Sequence, residues 1–373
     1  MSLGERFFMI YFFRENKLNG FNAGAKAPSD IEIILEQLGY IPISFPHRMN
    51  KSSVFTKIYL AVMSLIAWIK FYMKVRENDI IIYQHPIMAS MPLANYMIKK
   101  IRSKKKINMI AIVHDLSSYR FSVNECSKSR MKFYKKSDAI LTQFDYVICH
   151  NNKMKEYLSQ YINSTQIIEL GIFDYLTNHL KKNNTFYNNN LVITIAGNLS
   201  NLKCGYIYKM KNLNIKLHLY GNNYKSEKNN DNVIYKGSFD PSELVEKIEG
   251  SFGLVWDGNE VETCAGNYGN YMKINNPHKL SLYLASNMPV IVWKDAAIAD
   301  FVKKNNLGIA INSLLEIPEK LKKLTNDEYL EMKNNAGKIG KQIRNGYYTR
   351  NAINKCMDLI SIKNKIGEID INE

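Results

Sequence analysis

Short apolar runs recur along the first half of the chain, separated by longer stretches with helical spacing. Phe7–Phe13, Ile41–Phe45, Ile80–Tyr83, Asn108–Val113 and Tyr146–Cys149 read as buried strands. Between them, Ser29–Leu38 has the spacing of a helix, with Ser29 or Asp30 near its cap and Gly39 at its end. Residues 54–76 place apolar side chains on several helix faces, with Lys57, Lys70, Lys74 and Arg76 interspersed. Alternating strands and helices predict a parallel sheet covered on both faces. The polar stretch 178–190 reads as a linker, and the pattern then restarts. Leu191–Ala196, Lys216–Tyr220, Val233–Lys236, Phe252–Trp256 and Val290–Trp293 read as strands, and 241–249, 277–286 and 296–304 as helices. Residues 326–365 read as helix with a break near Asn345-Gly346. The expected architecture is α/β, with two doubly wound, Rossmann-like domains facing each other across a cleft. The first spans 1–177 and the second 191–346. A last helix, about 347–373, is long enough to cross back to the first domain.

Size and composition agree with two ordinary domains: the chain has 373 residues, 46% of them hydrophobic. Its formal net charge of +16 points to an anionic partner: nucleic acid, a phosphorylated ligand or an anionic membrane face. A composition rich in Lys, Asn and Ile gives a similar surplus with no such partner. The five cysteines are widely spaced without a CxxC, so neither a disulfide framework nor a zinc site is indicated. Glu5 and Arg14 interrupt the apolar start, against a secretory leader. The apolar run Ile58–Ile69 is broken by Ser64 and is too short to span a bilayer. A cytoplasmic protein is expected, with residues 54–76 as a core helix or a peripheral contact with the inner membrane face.

Candidate chemistry gathers where predicted strands end. Phe252–Trp256 delivers Asp257, and the following helix begins at Asn276-Pro277-His278-Lys279. A helix start offers unpaired amides and a positive dipole end, both suited to phosphate. Pro277 suits the first helical position, and Lys279 adds a positive charge. Gly197-Asn198 and Tyr220-Gly221-Asn222 also follow strands and fit a nucleotide cleft, although each equally fits an ordinary turn. In the first half, Gln84-His85-Pro86 and His114-Asp115 stand at strand ends. A histidine and carboxylate there suit proton removal from a hydroxyl, while a core histidine fits the same pattern. The loop Asn19–Pro28 offers Lys26 to a phosphate from the opposite domain. Neither G-x-G-x-x-G nor a GKS/T loop is present, which disfavours a nicotinamide cofactor or a P-loop. Without a D-x-D at a strand end or a His/Cys/Asp cluster, no metal is expected.

The motifs FGLVWD, HKLSLYLASNMPVIV, ADFVKKNNLGIAI and NGYYTRNAI, with NGFNAGAKAPSDIEIILEQLGY, IVHD and FDYVICHNNKM earlier, cover most of the chain. They resemble the GT-B glucosyltransferases that extend glycans on bacterial serine-rich-repeat adhesins, and the bacterial β-1,6-galactofuranosyltransferases of surface polysaccharide synthesis. The resemblance implies a UDP-sugar held mainly by the second domain, no metal, and inversion at the anomeric carbon. It implies Lys279 at the diphosphate, Tyr220 and Asn222 at the uridine, Gly197 and Asn198 lining the cleft, and Lys26 or its loop reaching the phosphates. Where the adhesin enzymes carry an arginine soon after the Gly-Asn, this chain has Leu199-Ser200-Asn201-Leu202, with Lys203 next. The loop 259–273 is longer than the family leads one to expect, in keeping with a different donor sugar.

The resulting expectation is in-line transfer of glucose or galactofuranose from a UDP-sugar to a growing glycan on a lipid carrier or protein. Asp115 is the first choice for base, followed by His114 and His85. A UDP-sugar epimerase of the same shape, or a basic nucleic-acid-binding protein, are the competing readings. The second lacks a helix-turn-helix, RNP or zinc-finger signature. Aromatic residues near Tyr347-Tyr348 would allow a homo-oligomer.

Overall fold

The computed structural model describes residues 8–14, 23–46, 53–86, 93–121, 126–178, 191–213, 215–225 and 232–372. Among the described residues, two six-stranded sheets, all of whose pairings are parallel, carry the fold. The first contains β1 (Ile10–Phe13), β2 (Ile41–Ile43), β3 (Ile80–His85), β4 (Asn108–Val113), β5 (Tyr146–Cys149) and β6 (Ile167–Glu169), in spatial order β2-β1-β3-β4-β5-β6. The second contains β7 (Val192–Ala196), β8 (Lys216–Tyr220), β9 (Val233–Gly237), β10 (Phe252–Val255), β11 (Val290–Trp293) and β12 (Gly308–Ile311), in order β12-β11-β10-β7-β8-β9. The central strands β3, β4, β5, β10 and β11 are buried throughout, as near-continuous Ile/Val runs in a covered parallel sheet should be.

The two-residue alternation of a strand divides the first domain's core into two layers. Ile81 and Tyr83 point to the side where Phe13 meets Trp68 and Phe71 edge to face, at 5.5 and 5.2 Å between ring centres. Ile80 and Ile82 point to the other side, where they meet Ala352, Ile353, Cys356 and Ile360 of the last helix, Tyr347–Asn372. That helix therefore crosses back to the first domain, as the sequence predicts. Its start is tied down by Asp174, whose two carboxylate oxygens accept from the amides of Tyr348 and Thr349. Tyr347 is exposed, but Tyr348 is half-buried against Phe301.

Several elements differ from expectation. The helix before β2 runs Ala23–Gln37, so it starts ahead of Ser29 and contains Pro28. Pro28 lies past the first turn and so removes an interior hydrogen bond, a cost that the buried face Ile31, Ile34 and Leu35 has to offset. The helix thus takes in the end of the expected loop Asn19–Pro28, while positions 19–22 lie outside the described residues. Strand β3 continues through Gln84 and His85. Pro277 caps the helix His278–Ala285 instead of occupying its first position. The edge strands β6 and β12 were unexpected: each is only three or four residues long. Finally, Ser53 caps a helix that runs Val54–Lys74, well past the run Ile58–Ile69. It is long and apolar enough to cross a bilayer, yet only one side of it is packed into the domain.

Candidate active site

In the second sheet the chain starts at β7 and winds outward both ways, so the topology reverses between β7 and β10. Open α/β sheets bind ligands at such a switch point, beyond the carboxyl ends of the strands. Gly197 follows β7 and Trp256-Asp257 follows β10, and Gly197 and Asp257 line a cavity of about 560 Å³ between the domains. This volume is in the usual range for a small-molecule site. Its floor is made by two glycines. Gly221 has φ +138°, and a Cβ there would lie 1.7 Å from the carbonyl oxygen of Gly197. No other residue type fits that approach. Asn198 Oδ1 accepts from Ser200 N and from Asn223 Nδ2, both at 3.0 Å, which shapes the loop; Asn222 is exposed at the mouth.

Pro277, His278 and Lys279 bring a helix start to the same cavity. Pro277 provides no side-chain cap, which leaves the first amides of His278–Ala285 available to a ligand. Lys279 is less mobile than the sequence suggests. Its ammonium donates to Asp257 Oδ1 at 2.7 Å and to the Trp256 carbonyl at 2.9 Å, with both partners of the ion pair under a tenth exposed. Burial pulls the Lys279 pKa down, but the adjacent Asp257 outweighs it and the net shift is upward. The lysine is held charged.

The first domain contributes the opposite wall. The amides of His114 and Asp115 both turn toward the carbonyl of His85, at 2.6 and 3.5 Å, as the chain leaves β4. Asp115 accepts from Arg120 at 2.8 Å, and both side chains are partly open to the cleft. Burial raises the Asp115 pKa against the opposing pull of Arg120 and Lys203. His114 Nε2 lies 2.7 Å from Gln84 Oε1, and its ring stacks on Phe173. Burial first, then the neighbouring histidines, push its pKa down to about 3. From the second domain the short helix Gly266–Tyr271 reaches across. Arg120 lies over the Tyr268 ring at 5.1 Å, Lys203 over the same ring at 5.5 Å, and the Tyr271 hydroxyl accepts from Leu116 N. Among the described residues, the charged lining is therefore three cations (Arg120, Lys203, Lys279) against two carboxylates (Asp115, Asp257), a net attraction for an anion. Asn275 Oδ1 and His278 Nδ1 are buried acceptors without partners among the described residues, and both residues line the cavity. They suit the hydroxyl donors of a sugar.

Four of the predicted residues are engaged in other contacts, although Tyr220 and Asn276 still line the cavity. His85 is fully buried, does not line the cavity, and places Nε2 2.9 Å from Asp138 Oδ1. Asp138 in turn accepts from Ser118 N, so His85 braces the short helix that carries Arg120. Lys26 pairs with Asp30, donates to the Leu176 carbonyl at 2.8 Å and rests 4.7 Å over the Tyr175 ring. Its neighbours Ala27 and Pro28 line the cavity instead. The Tyr220 ring is buried, and its hydroxyl donates to Lys247 O and accepts from Glu249 N. Partly buried Phe239, 6.2 Å from it, is the aromatic with more access to the cavity. Asn276 joins the domains: its side-chain amide donates to the carbonyls of His150 and Gly171, and its backbone N–H donates to His150 Nδ1 at 2.9 Å.

That last bond requires a neutral His150, whose Nε2–H then donates to the Val113 carbonyl. Burial holds its pKa down at about 4. A histidine kept neutral in the fold stabilises it above the unfolded pKa of about 6.5, and the contribution is lost as pH falls toward 4. The loss is about 3 kcal/mol. Asp30 and Asp174, raised to about 6 chiefly by burial, act in the opposite sense between pH 6 and 4. The expected result therefore concerns the difference between wild type and His150→Gln in urea unfolding. It should shrink by about 3 kcal/mol between pH 7 and pH 4; a difference independent of pH would refute the neutral bridge.

Arg120, Tyr268 and Tyr271 escape a sequence reading because they lie on short helices without apolar periodicity. The unusual length of 259–273 is a signal for Tyr268 and Tyr271 alone. Comparison with known proteins adds identity to this geometry. Residues 9–172 match the model of the glucosyltransferase 3-like N-terminal domain, and 193–356 that of the glucosyltransferase 3-like C-terminal domain. The beta-1,6-galactofuranosyltransferase WbbI of Escherichia coli K12 is 31% identical over 354 residues, covering 94% of this chain and 98% of its own. Among solved structures, the sucrose-phosphate synthase of Thermosynechococcus elongatus superposes with a TM-score of 0.65 at 11% identity, covering 95% of this chain and 100% of its own. HepE of Anabaena in complex with UDP-glucose gives 0.55 at 11% identity, covering 95% and 99%.

Proposed function

The chain belongs to the glucosyltransferase 3-like family and is a hexosyltransferase of GT-B architecture, and from that premise we propose a specific reaction for it. It moves a hexose from a UDP-sugar to a hydroxyl of a growing surface glycan, with inversion and without a metal. Galactofuranose is favoured over glucose by the similarity to the Escherichia coli galactofuranosyltransferase along nearly its whole length. The acceptor is carried on a lipid diphosphate or a protein, and the enzyme works in the cytoplasm in peripheral contact with an anionic membrane face.

The observation that carries this reading is the convergence of one helix start, Lys279 and Lys203 on one side of the cavity, with Asp115 on the other. The first group suits a diphosphate, whose negative charge grows as the sugar leaves. Asp115, with its raised pKa and partial exposure, suits proton removal from the attacking hydroxyl. His114 is the poorer base because its pKa is held so low. Lys203, which lines the cavity, is read as the substitute for the family's arginine. An epimerase would need no acceptor, so turnover of the nucleotide sugar alone would replace the transferase reading.

Calorimetric titration in EDTA tests the donor site. UDP is expected to bind with a Kd on the order of micromolar, and GDP, CMP and dTDP-glucose at least about tenfold more weakly. Lys203→Ala should weaken UDP about tenfold. Equal affinity for all four ligands, or no UDP binding, would overturn the assignment.

A further inference from the structure

The Val54–Lys74 helix turns its more apolar side outward. Toward the domain it packs Ser64, Trp68 and Phe71. Away from it, Phe55, Ile58, Val62, Ile66, Ile69 and Met73 recur at helical spacing and form one exposed stripe, with Phe55 84% and Met73 76% exposed. A groove of about 640 Å³ runs beside the stripe, between the helix and the segment from Pro42 to Pro46, and Lys70 and Lys74 lie on its rim. Residues 54–74 contain three lysines and no Asp or Glu. Nearby, Lys105 places its ammonium 4.6 Å over the Tyr72 ring.

We propose that this face docks on an anionic lipid bilayer, with the helix lying in the plane of the interface. An apolar stripe flanked by lysines matches a membrane surface that is oily inside and negatively charged at the headgroups. The helix does not cross the bilayer, because Trp68 and Phe71 are locked edge to face on Phe13 inside the domain. A second copy is a poorer occupant. A two-fold pairing would bring lysine-flanked stripes together, with no carboxylate on either helix to meet them. A crossover helix runs back against its strands, so the Val54 end lies on the side where β4 ends and Asp115 begins. The bilayer would then lie beside the cleft, where a lipid-borne acceptor can enter. The inference rests on the peripheral reading given above and supplies its surface.

The test is co-sedimentation of the full chain with vesicles of phosphatidylcholine alone or with about one-third phosphatidylglycerol. Binding is expected only to the anionic vesicles, weakened by salt. Phe55→Ser/Ile58→Ser/Met73→Ser should lower it at least about tenfold, and Lys70→Glu/Lys74→Glu should do the same. UDP affinity, measured by calorimetry on each variant, should stay unchanged, which separates failure of this proposal from failure of the donor site. No vesicle binding by wild type would overturn it. So would a concentration-dependent dimer that the serine variant dissociates.

Discussion

Asp115→Asn is expected to lower kcat by about 10²–10⁴ while UDP affinity stays within about twofold. The substitution keeps the shape of the side chain and one acceptor for Arg120, so the wall of the cleft should persist. What it removes is the basic oxygen. Asp115 is held by Arg120 at 2.8 Å yet remains partly open to the cavity, and its pKa is raised by burial. A carboxylate raised in this way is a stronger base than a free one. His114 beside it is held neutral with little basicity, since its pKa lies near 3. His114→Gln should therefore cost far less than Asp115→Asn. Steady-state kinetics on both variants decides the order. If Asp115→Asn retains turnover and His114→Gln loses it, the base has been misassigned.

Lys279→Met should have the largest effect on stability. It leaves Asp257 charged, buried and without its partner, a loss of about 3–5 kcal/mol. A lost UDP signal in that variant would therefore be ambiguous. The double variant Lys279→Met/Asp257→Asn removes both charges and should recover most of the folding free energy. If Lys279 serves the diphosphate, the recovered protein should still bind UDP about 10–100-fold more weakly, the worth of one or two charge-assisted bonds. Urea unfolding and calorimetry on the same preparations give both numbers. Full UDP affinity in the double variant would make the pair a structural tie between β10 and the helix, and move the phosphate contact to Lys203.

Much of this layout is legible in the residues. The Ile/Val runs of β3, β4, β10 and β11 report strands because burial on both faces demands continuous apolar sequence. Gly197 and Asp257 were placed at the cleft because strands end there, and the second sheet's reversal falls between their strands. The edge strands β6 and β12 escaped because short strands at a sheet margin need no such run. Pro28 read as a boundary because an interior proline usually breaks a helix; here the buried face Ile31, Ile34 and Leu35 carries the helix through it. Lys279 read as a free cation because its partner lies across a loop, and Lys26 because Asp30 and Leu176 approach it only after folding. The outward face of Val54–Lys74 was hidden for a different reason. Apolar residues on several sides of a helix look alike in sequence whether they meet protein or an open surface.

The return of the last helix has a further consequence for how the molecule is made. Ile80 and Ile82 on one layer of the first sheet await Ile353, Cys356 and Ile360, which are made only after the strands of the second domain. The first domain is thus translated early but can close its core only after the second has been made. During that interval this face of the sheet is covered only in part, by Ala27, Ile31 and Leu35 of the first helix, and is open to chaperones and to misassembly with other nascent chains. When Ala352–Ile360 arrives, it completes the older domain and cinches the younger one to it through Asp174. The maturation of one domain is thereby tied to the completion of the other.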